Sequence, residues 1–383
     1  MTGTRRHPTA GHHIAGRRAP RVRSVVIIGA GGQIGSNLVP HIGKMTEVGR
    51  VTLIDQDVYS SLNLAAQMID PGDIGHPKAT AQARKLRRMR PDLRVVPIVA
   101  PVEFVPLGLL RADVILSCLD SRRARQEVNR IALRLGVPMI DAGVNGAWLL
   151  ARVSGYVPGA KHACLECAWS DRDYETLEQV YSCVGERIPV APTRSISSLG
   201  ALAASLQAIE CHKILAGSPG VVAFDREILI DAAHHILYRT AMAPNPNCRL
   251  GNHAAWRIEP LQRSPDRVSL GQALALGPSG KGRWNGGGLR VEASPFIRRL
   301  VCSHCGHQRS LLRHRASLAA GGPRCRKCGA GMAAPGFDTL DRLSAAELPE
   351  RTLRRSLRTL GLRSGDVFSV GDARRENHYE FAG

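Results

Sequence analysis

Residues 25–57 constrain the fold more than any other part of this 383-residue chain. They begin Val-Val-Ile-Ile-Gly-Ala-Gly-Gly-Gln-Ile-Gly-Ser-Asn-Leu-Val from Val25 and close on Val-Thr-Leu-Ile-Asp-Gln-Asp at Asp57. An apolar strand runs into four glycines, then a helix, and a second apolar strand ends in two acids. That order is the pattern of a nucleotide-binding β-α-β unit. The glycines let backbone approach a phosphate, and the helix N-terminus offers free N–H groups and the positive end of its dipole. The pattern implies a nucleotide without saying whether it is a redox cofactor or a substrate to be cleaved.

The alternation continues to about residue 141. Strand patterns around 51–55, 94–100, 113–120 and 137–143 are separated by helical patterns over 34–45, 78–90 and 122–135. Short strands alternating with helices predict an α/β fold, a doubly wound, mostly parallel sheet. Residues 149–157 and 227–237 alternate apolar and polar and are expected as added antiparallel strands, with a buried helix over 197–215 between them. Residues 257–295, rich in Gly, Pro and Ser, read as a linker with one short helix. Residues 296–335 carry two cysteine pairs and read as a small separate domain. In the 336–383 tail, Ser344-Ala-Ala-Glu347 has the form of a capping box opening an Arg-rich helix to about Leu360, before a short strand in Gly-Asp-Val-Phe-Ser-Val.

The net charge of +20 is unevenly placed. Residues 1–24 hold six Arg and no acid, and residues 1–22 are expected to be a disordered basic tail ahead of a nucleotide-binding domain over 23–256. Residues 25–256 hold 24 basic and 21 acidic residues, whereas 257–383 hold 22 and 11. The excess sits outside the nucleotide-binding part, so a nucleic-acid or acidic-protein partner and a merely solvated Arg-rich surface are equally open. Aromatic residues make up only 4% of the chain, which argues against base-stacking platforms. Apolar runs are of strand length, short of the roughly 20 residues a membrane helix needs. No apolar stretch succeeds Arg5-Arg6, so no secretory signal is visible and the default expectation is cytoplasmic.

Gly29, Gly32 and Gly35 fit the glycine spacing of sugar-nucleotide epimerases that use NAD. Such enzymes also need a Tyr-x-x-x-Lys pair, and none of the six tyrosines has a lysine four positions later. The residues beyond the glycines point elsewhere: Asp55 and Asp57, then Asn63-Leu-Ala-Ala-Gln67, Asp73-Ile-Gly-His-Pro-Lys78, Leu116-Ser-Cys-Leu-Asp120, Ala163-Cys-Leu-Glu-Cys167, the 206–217 helix end and Asn245-Pro-Asn-Cys248. This order, over residues 24–254, resembles the adenylating domain of the ThiF/MoeB/HesA family, relatives of ubiquitin-activating enzymes.

The resemblance implies that the 23–256 domain binds ATP and Mg²⁺ and adenylates the C-terminal glycine of a ubiquitin-like or sulfur-carrier protein. Gly29, Gly31, Gly32 and Gly35 would form the phosphate loop. Lys78 would contact the phosphates, Asp120 would hold Mg²⁺, Asp55 beside Asp57 the ribose, and Asn63 the phosphate region. A homodimer is implied in the same way. The chain departs from the family pattern at three points. Gln33-Ile34 lengthens the glycine loop by one residue, Ala66 stands where an arginine is usual, and the N-terminal Arg-Tyr-x-Arg-Gln stretch is absent. Arg122, Arg123 or a tail arginine are candidates to replace the lost charge.

Three C-x-x-C pairs in a chain without a signal peptide argue for metal rather than disulfides. Cys164 and Cys167 need two more ligands. Cys248 and His253 are the candidates, Gly251 occupying the position where the family has its last cysteine. Cys302-x-x-Cys305-Gly and Cys325-x-x-Cys328-Gly, with nineteen residues between Cys305 and Cys325, read as a zinc ribbon. Two structural Zn²⁺ sites are therefore expected. Cys183 lies where the resembling enzymes carry a cysteine on a crossover loop; it is either a thioester or acyl-disulfide nucleophile, handing the carrier to a conjugating-enzyme-like partner, or an unreactive loop thiol. Cys118 and Cys211 read as core residues. The expected function is thus an adenylyltransferase, with a tRNA-modifying dehydratase and a non-enzymatic nucleotide-binding scaffold as alternatives.

Overall fold

The computed structural model describes residues 22–178, 195–278, 287–292, 294–318, 322–372 and 375–381. The basic tail to residue 21 and the segment carrying Cys183 lie outside the described residues.

The first part is one eight-stranded sheet in the order β3-β2-β1-β4-β5-β6-β7-β8. Its strands are β1 (Arg23–Ile28), β2 (Val48–Ile54), β3 (Arg94–Ile98), β4 (Val114–Ser117), β5 (Met139–Asn145), β6 (Leu150–Tyr156), β7 (Arg226–Asp231) and β8 (Ile236–Ala241). The first five run parallel and the last three are added antiparallel. Helices α1 (Gln33–Gly43), α2 (Lys78–Met89), α3 (Arg122–Leu135), α4 (Asp171–Glu178) and α5 (Ser197–Leu215) accompany it. Strand side chains alternate between faces, so an apolar run such as Val25–Ile28 supplies both. Val25 and Ile27 pack with α1, α2 and α5 on one face; Val26 and Ile28 pack with α3 and the 102–110 segment on the other. This is the expected doubly wound α/β sheet with antiparallel additions.

α3 begins and ends where its sequence says. The Ser121 side chain accepts the N–H of Ala124, and Gly136 closes the helix at φ 69°. Residues 227–237, expected as one strand, instead belong to the β7–β8 hairpin.

Residues 257–295 are not a bare linker. They supply β9 (Ile258–Leu261), α6 (Leu270–Leu274) and β10 (Gly288–Val291). Three later strands, β15 (Leu343–Ser344), β16 (Val367–Gly371) and β17 (Glu376–Phe381), complete a second sheet in the order β15-β10-β16-β17-β9. Its core includes Leu270, Leu289, Leu357, Phe368 and Phe381. The helix expected up to Leu360 is also corrected. Pro349 removes a backbone donor and disfavours helix before it, so only α7 (Glu350–Leu353) forms, and the Ser344 side chain caps nothing.

Between these segments β11 (Phe296–Cys302), β12 (Gln308–His314), β13 (Met332–Ala333) and β14 (Thr339–Leu340) form a third sheet around Ile297, Leu300, Cys302, Cys325 and Met332. The second sheet docks on the first domain. Val367 joins its core, the Gly108 N–H donates to Gly365 O at 2.8 Å, and Arg363 donates to Phe104 O at 2.8 Å.

Candidate functional site

The glycine loop joins β1 to α1 between β1 and β4. That is where the strand order reverses and where open α/β sheets bind ligands, beyond the carboxyl ends of their strands. Gly29 takes φ +79°, and a Cβ there would lie 2.6 Å from Cys118 O at the end of β4. Gly31 is required by close approach: a Cβ would collide with the Lys78 side chain and come 2.8 Å from the Tyr59 hydroxyl. Gly32 caps α1 with no side chain of its own, and Gly35 packs the first turn against Gly29. The N-terminus of α1 is thus left to its backbone N–H groups, with no acid in its first turn.

Lys78 opens α2. Its N–H donates to Asp57 O at 2.8 Å and its Nζ lies 3.2 Å from Asp57 Oδ2. The lysine is buried while the Asp57 carboxylate is more than half exposed, so the pair presents a charge at the rim of the loop. Asp55 is buried. Its oxygens accept the N–H of Gly31 at 2.9 Å and of Asp57 at 3.0 Å. Burial raises its pKa despite those hydrogen bonds and the nearby Lys78 charge. Asp55 therefore holds the loop in shape, a role that its place in the sequence does not reveal.

Tyr59 adds a residue that sequence reasoning misses. Fully buried, it donates to Gly31 O at 3.1 Å, accepts from Gln82 Nε2 at 2.7 Å, and lies 5.7 Å below the Lys78 ammonium. No sequence motif marks it, since only folding brings residue 59 under residue 31.

Asn63 sits in a short 3₁₀ turn, its Oδ1 accepting the Ser60 N–H at 2.8 Å. Asp120 is exposed in the β4–α3 turn, where Ser121 and not Asp120 caps the helix. That turn is held from beneath: Arg125 donates to Leu119 O at 2.9 Å and to the fully buried Asp141 at 2.7 Å, and Asp141 also binds Ser117 and Arg152. Arg122 is paired with Asp173 of α4. Gln33, the extra residue of the loop, donates to Ile196 O at 2.6 Å just before α5.

The residues of the first cysteine group come together. The donor atoms of Cys164, Cys167, Cys248 and His253 all lie within 4.8 Å of one another. Cys164 and Cys248 Sγ are 3.7 Å apart, Cys164 and Cys167 Sγ 3.8 Å, and Cys167 Sγ and His253 Nε2 3.6 Å. A tetrahedral ion with bonds of about 2.3 Å to sulfur has donor–donor edges of about 3.8 Å, so the four residues fit zinc. His253 adopts φ +54° and its Nδ1 lies 2.9 Å from His162 O, an outer contact that fixes which nitrogen faces the sulfurs.

Cys302, Cys305, Cys325 and Cys328 form a second such group, with Sγ separations of 3.4 Å (302–328), 3.6 Å (305–325) and 3.5 Å (305–328). Four sulfurs at these distances fit a closed tetrahedral site. Cys118 and Cys211 are buried core residues. Among the described residues, no helix is long and apolar enough to cross a membrane.

A profile of the ThiF family matches residues 13–250. The chain is 28% identical over 197 residues to the sulfur carrier protein ThiS adenylyltransferase of Escherichia coli K12, covering 50% of this chain and 72% of that protein. It is 27% identical over 244 residues to the molybdopterin-synthase adenylyltransferase of the same strain, covering 63% and 91%. Among solved structures, E. coli MccB with succinimide aligns over 60% of this chain and 66% of that one, at 22% identity and a TM-score of 0.49. The family match spans the glycine loop, Asp55, Lys78, Asp120 and the first cysteine group through Cys248, and the chain belongs to the ThiF family.

Proposed function

We propose that this ThiF-family adenylyltransferase uses ATP to activate the C-terminal glycine carboxylate of a ubiquitin-like or sulfur-carrier protein. The observation that carries the reading is Lys78, buried beside Gly31 and held by Asp57 at the mouth of the glycine loop. Its relatives include adenylyltransferases named for a sulfur carrier and for molybdopterin synthase.

A carboxylate oxygen attacks the α-phosphorus, the α–β bridging bond breaks with its electron pair leaving on pyrophosphate, and an acyl-adenylate remains. Both reactants are anionic, so catalysis is chiefly electrostatic. Lys78 exchanges Asp57 for phosphate oxygens, and the loop and α1 N–H groups cradle the phosphates. Asp57 is the acid to bond the ribose, with Asp55 holding the loop behind it and able to offer a remaining lone pair, and Asn63 would meet the phosphate region. Asp120 is the residue to hold Mg²⁺, which would neutralise charge on the polyphosphate. Both cysteine groups hold structural zinc. In the next step the Cys183 thiolate attacks the acyl carbon and AMP leaves, giving a carrier thioester; a thiolate of a conjugating-enzyme-like protein, or a sulfur nucleophile, then attacks that carbonyl and Cys183 leaves as its thiolate. The homodimer implied by the family resemblance belongs to the same proposal.

ATP–pyrophosphate exchange tests the adenylation. It should depend on a small carrier protein and vanish when the carrier's terminal glycine is removed. Exchange that instead requires tRNA would sink the reading, as would failure to form AMP with any glycine-ended carrier encoded beside this chain. The Cys183 step is tested separately, by trapping a reducible carrier–enzyme adduct: it should vanish in Cys183→Ala, and its survival there rejects that step alone.

A further inference from the structure

Tyr59 carries a polar group into a place where packing alone would ask for a hydrocarbon. The residue is 1% exposed, and burial raises the pKa of its phenol, so the hydroxyl keeps its proton near neutral pH. That hydroxyl is engaged twice. Gln82 Nε2 donates to it at 2.7 Å, and it donates to Gly31 O at 3.1 Å. A phenol has one proton to give, so the Gln82 bond, by taking a lone pair, directs that proton to Gly31. Gln82 is itself 1% exposed and stands four residues after Lys78, on the same face of α2.

The Gly31 peptide is gripped from both sides. Its N–H donates to Asp55 Oδ2 at 2.9 Å, and its carbonyl accepts Tyr59. A glycine without such ties would sample many conformations. Tyr59 is fixed in turn by its own backbone. Its N–H donates to His76 O at 3.0 Å and its carbonyl accepts the Gly75 N–H at 2.9 Å, just before Lys78 opens α2. The Lys78 ammonium lies 5.7 Å from the centre of the Tyr59 ring, within cation–π reach. One side chain therefore joins the glycine loop, the start of α2 and the lysine. The ring attracts the ammonium without occupying its N–H donors, so Lys78 can trade Asp57 for phosphate oxygens and stay in place. With Ala66 where the resembling enzymes have an arginine, the aim of Lys78 matters more.

We propose that Tyr59, oriented by Gln82, is a positioning residue for the phosphate chain of the nucleotide: it fixes the Gly31 peptide and the Lys78 ammonium where the triphosphate binds. It acts through those two groups rather than on the reacting atoms. The inference rests on the reading of this loop as an ATP site. A hydrocarbon side chain of the same size would fill the space but leave Gly31 O and the Gln82 amide unpaired. Loss of the hydroxyl should therefore be felt by the part of the nucleotide that the loop and Lys78 hold, the polyphosphate, and not by the adenosine.

The test titrates the full chain by calorimetry, in the presence of Mg²⁺, with α,β-methylene-ATP, which cannot be cleaved at the α–β bridge, and separately with AMP. Tyr59→Phe should weaken binding of the triphosphate about tenfold and of AMP less than about twofold. Tyr59→Leu, which removes the ring as well, should lose about a further threefold for the triphosphate alone. Gln82→Met keeps the phenol but no longer directs its proton. It should show the same selectivity with a smaller loss, and it carries the test where the Tyr59 variants do not fold. Equal losses for both ligands would make Tyr59 a packing residue and overturn the proposal. A parent that does not bind the triphosphate sinks the ATP reading and this inference together, whereas a parent that binds it no better than the three variants do sinks this inference alone.

Discussion

Asp57 holds Lys78 twice, through its backbone carbonyl to the lysine N–H at 2.8 Å and through its carboxylate to Nζ at 3.2 Å. The backbone bond sets where α2 begins, and the ion pair parks the ammonium at the phosphate loop. Lys78→Ala should lower adenylation by about 10²–10³-fold, the scale of removing one preorganised charge from a developing anion. Asp57→Asn keeps the backbone bond and frees the ammonium, so its effect should stay within about tenfold. Pyrophosphate exchange at saturating ATP measures both, and equal losses in the two variants would refute the division of labour.

Gly31 and Gly32 make a paired test of the loop. A Cβ at Gly31 collides with Lys78 and Tyr59, whereas at Gly32 the nearest atom is 3.4 Å away. Gly31→Ala should cost about 1–3 kcal/mol of stability by overpacking and weaken ATP binding at least tenfold. Gly32→Ala should unfold within a few degrees of the parent. Thermal melts with and without ATP decide it.

Metal content should separate the two cysteine groups. The purified protein is expected to carry two zinc ions per chain by elemental analysis. His253→Ala and Cys305→Ala should each lose one, and each loss should destabilise its own region by several kcal/mol, because binding and folding free energy are shared. Retention of both ions in His253→Ala would remove that histidine from the ligand set.

His314 predicts acid sensitivity where the two parts meet. It is buried among Phe104, Val291, Arg363 and Val367, with Nε2 3.1 Å from Ser294 O and no partner on Nδ1. Burial, and then the Arg363 charge, push its pKa down to about 4. Near pH 7 both folded and unfolded forms are neutral. As pH falls from about 6.5 toward 4 the unfolded imidazole takes a proton that the folded one refuses, so stability falls, by up to about 3 kcal/mol. His314→Gln should flatten the stability profile over that window, read by denaturant unfolding at pH 7 and pH 5.

Much of the first domain is legible in its residues. Strong apolar runs, the Ser121 cap and the Gly136 stop are local signals, and α3 spans the residues they predict. The β7–β8 hairpin escapes such reading because its turn contains neither Gly nor Pro. Asp231 Oδ1 accepts the N–H groups of Ala233 and His234, and His235 takes φ +58°. The second sheet escapes it because β9 and β10 are four residues each and pair with β17 and β16 far along the chain. No pattern inside a Gly- and Pro-rich stretch announces such partners.

The residues themselves settled the class of the protein. Glycine spacing, two acids after β2, Lys78, Asp120 and the cysteine spacings name a nucleotide fold with metal-ligand clusters, because those features obey short-range rules of backbone freedom and ligand geometry. Folding alone decided the rest. It brought His253 to Cys167 across 86 positions and buried Asp55 against Gly31. It also slid Tyr59 beneath the loop. Each is a contact between residues far apart in the chain, whose energies depend on burial and distance that the order of residues does not contain.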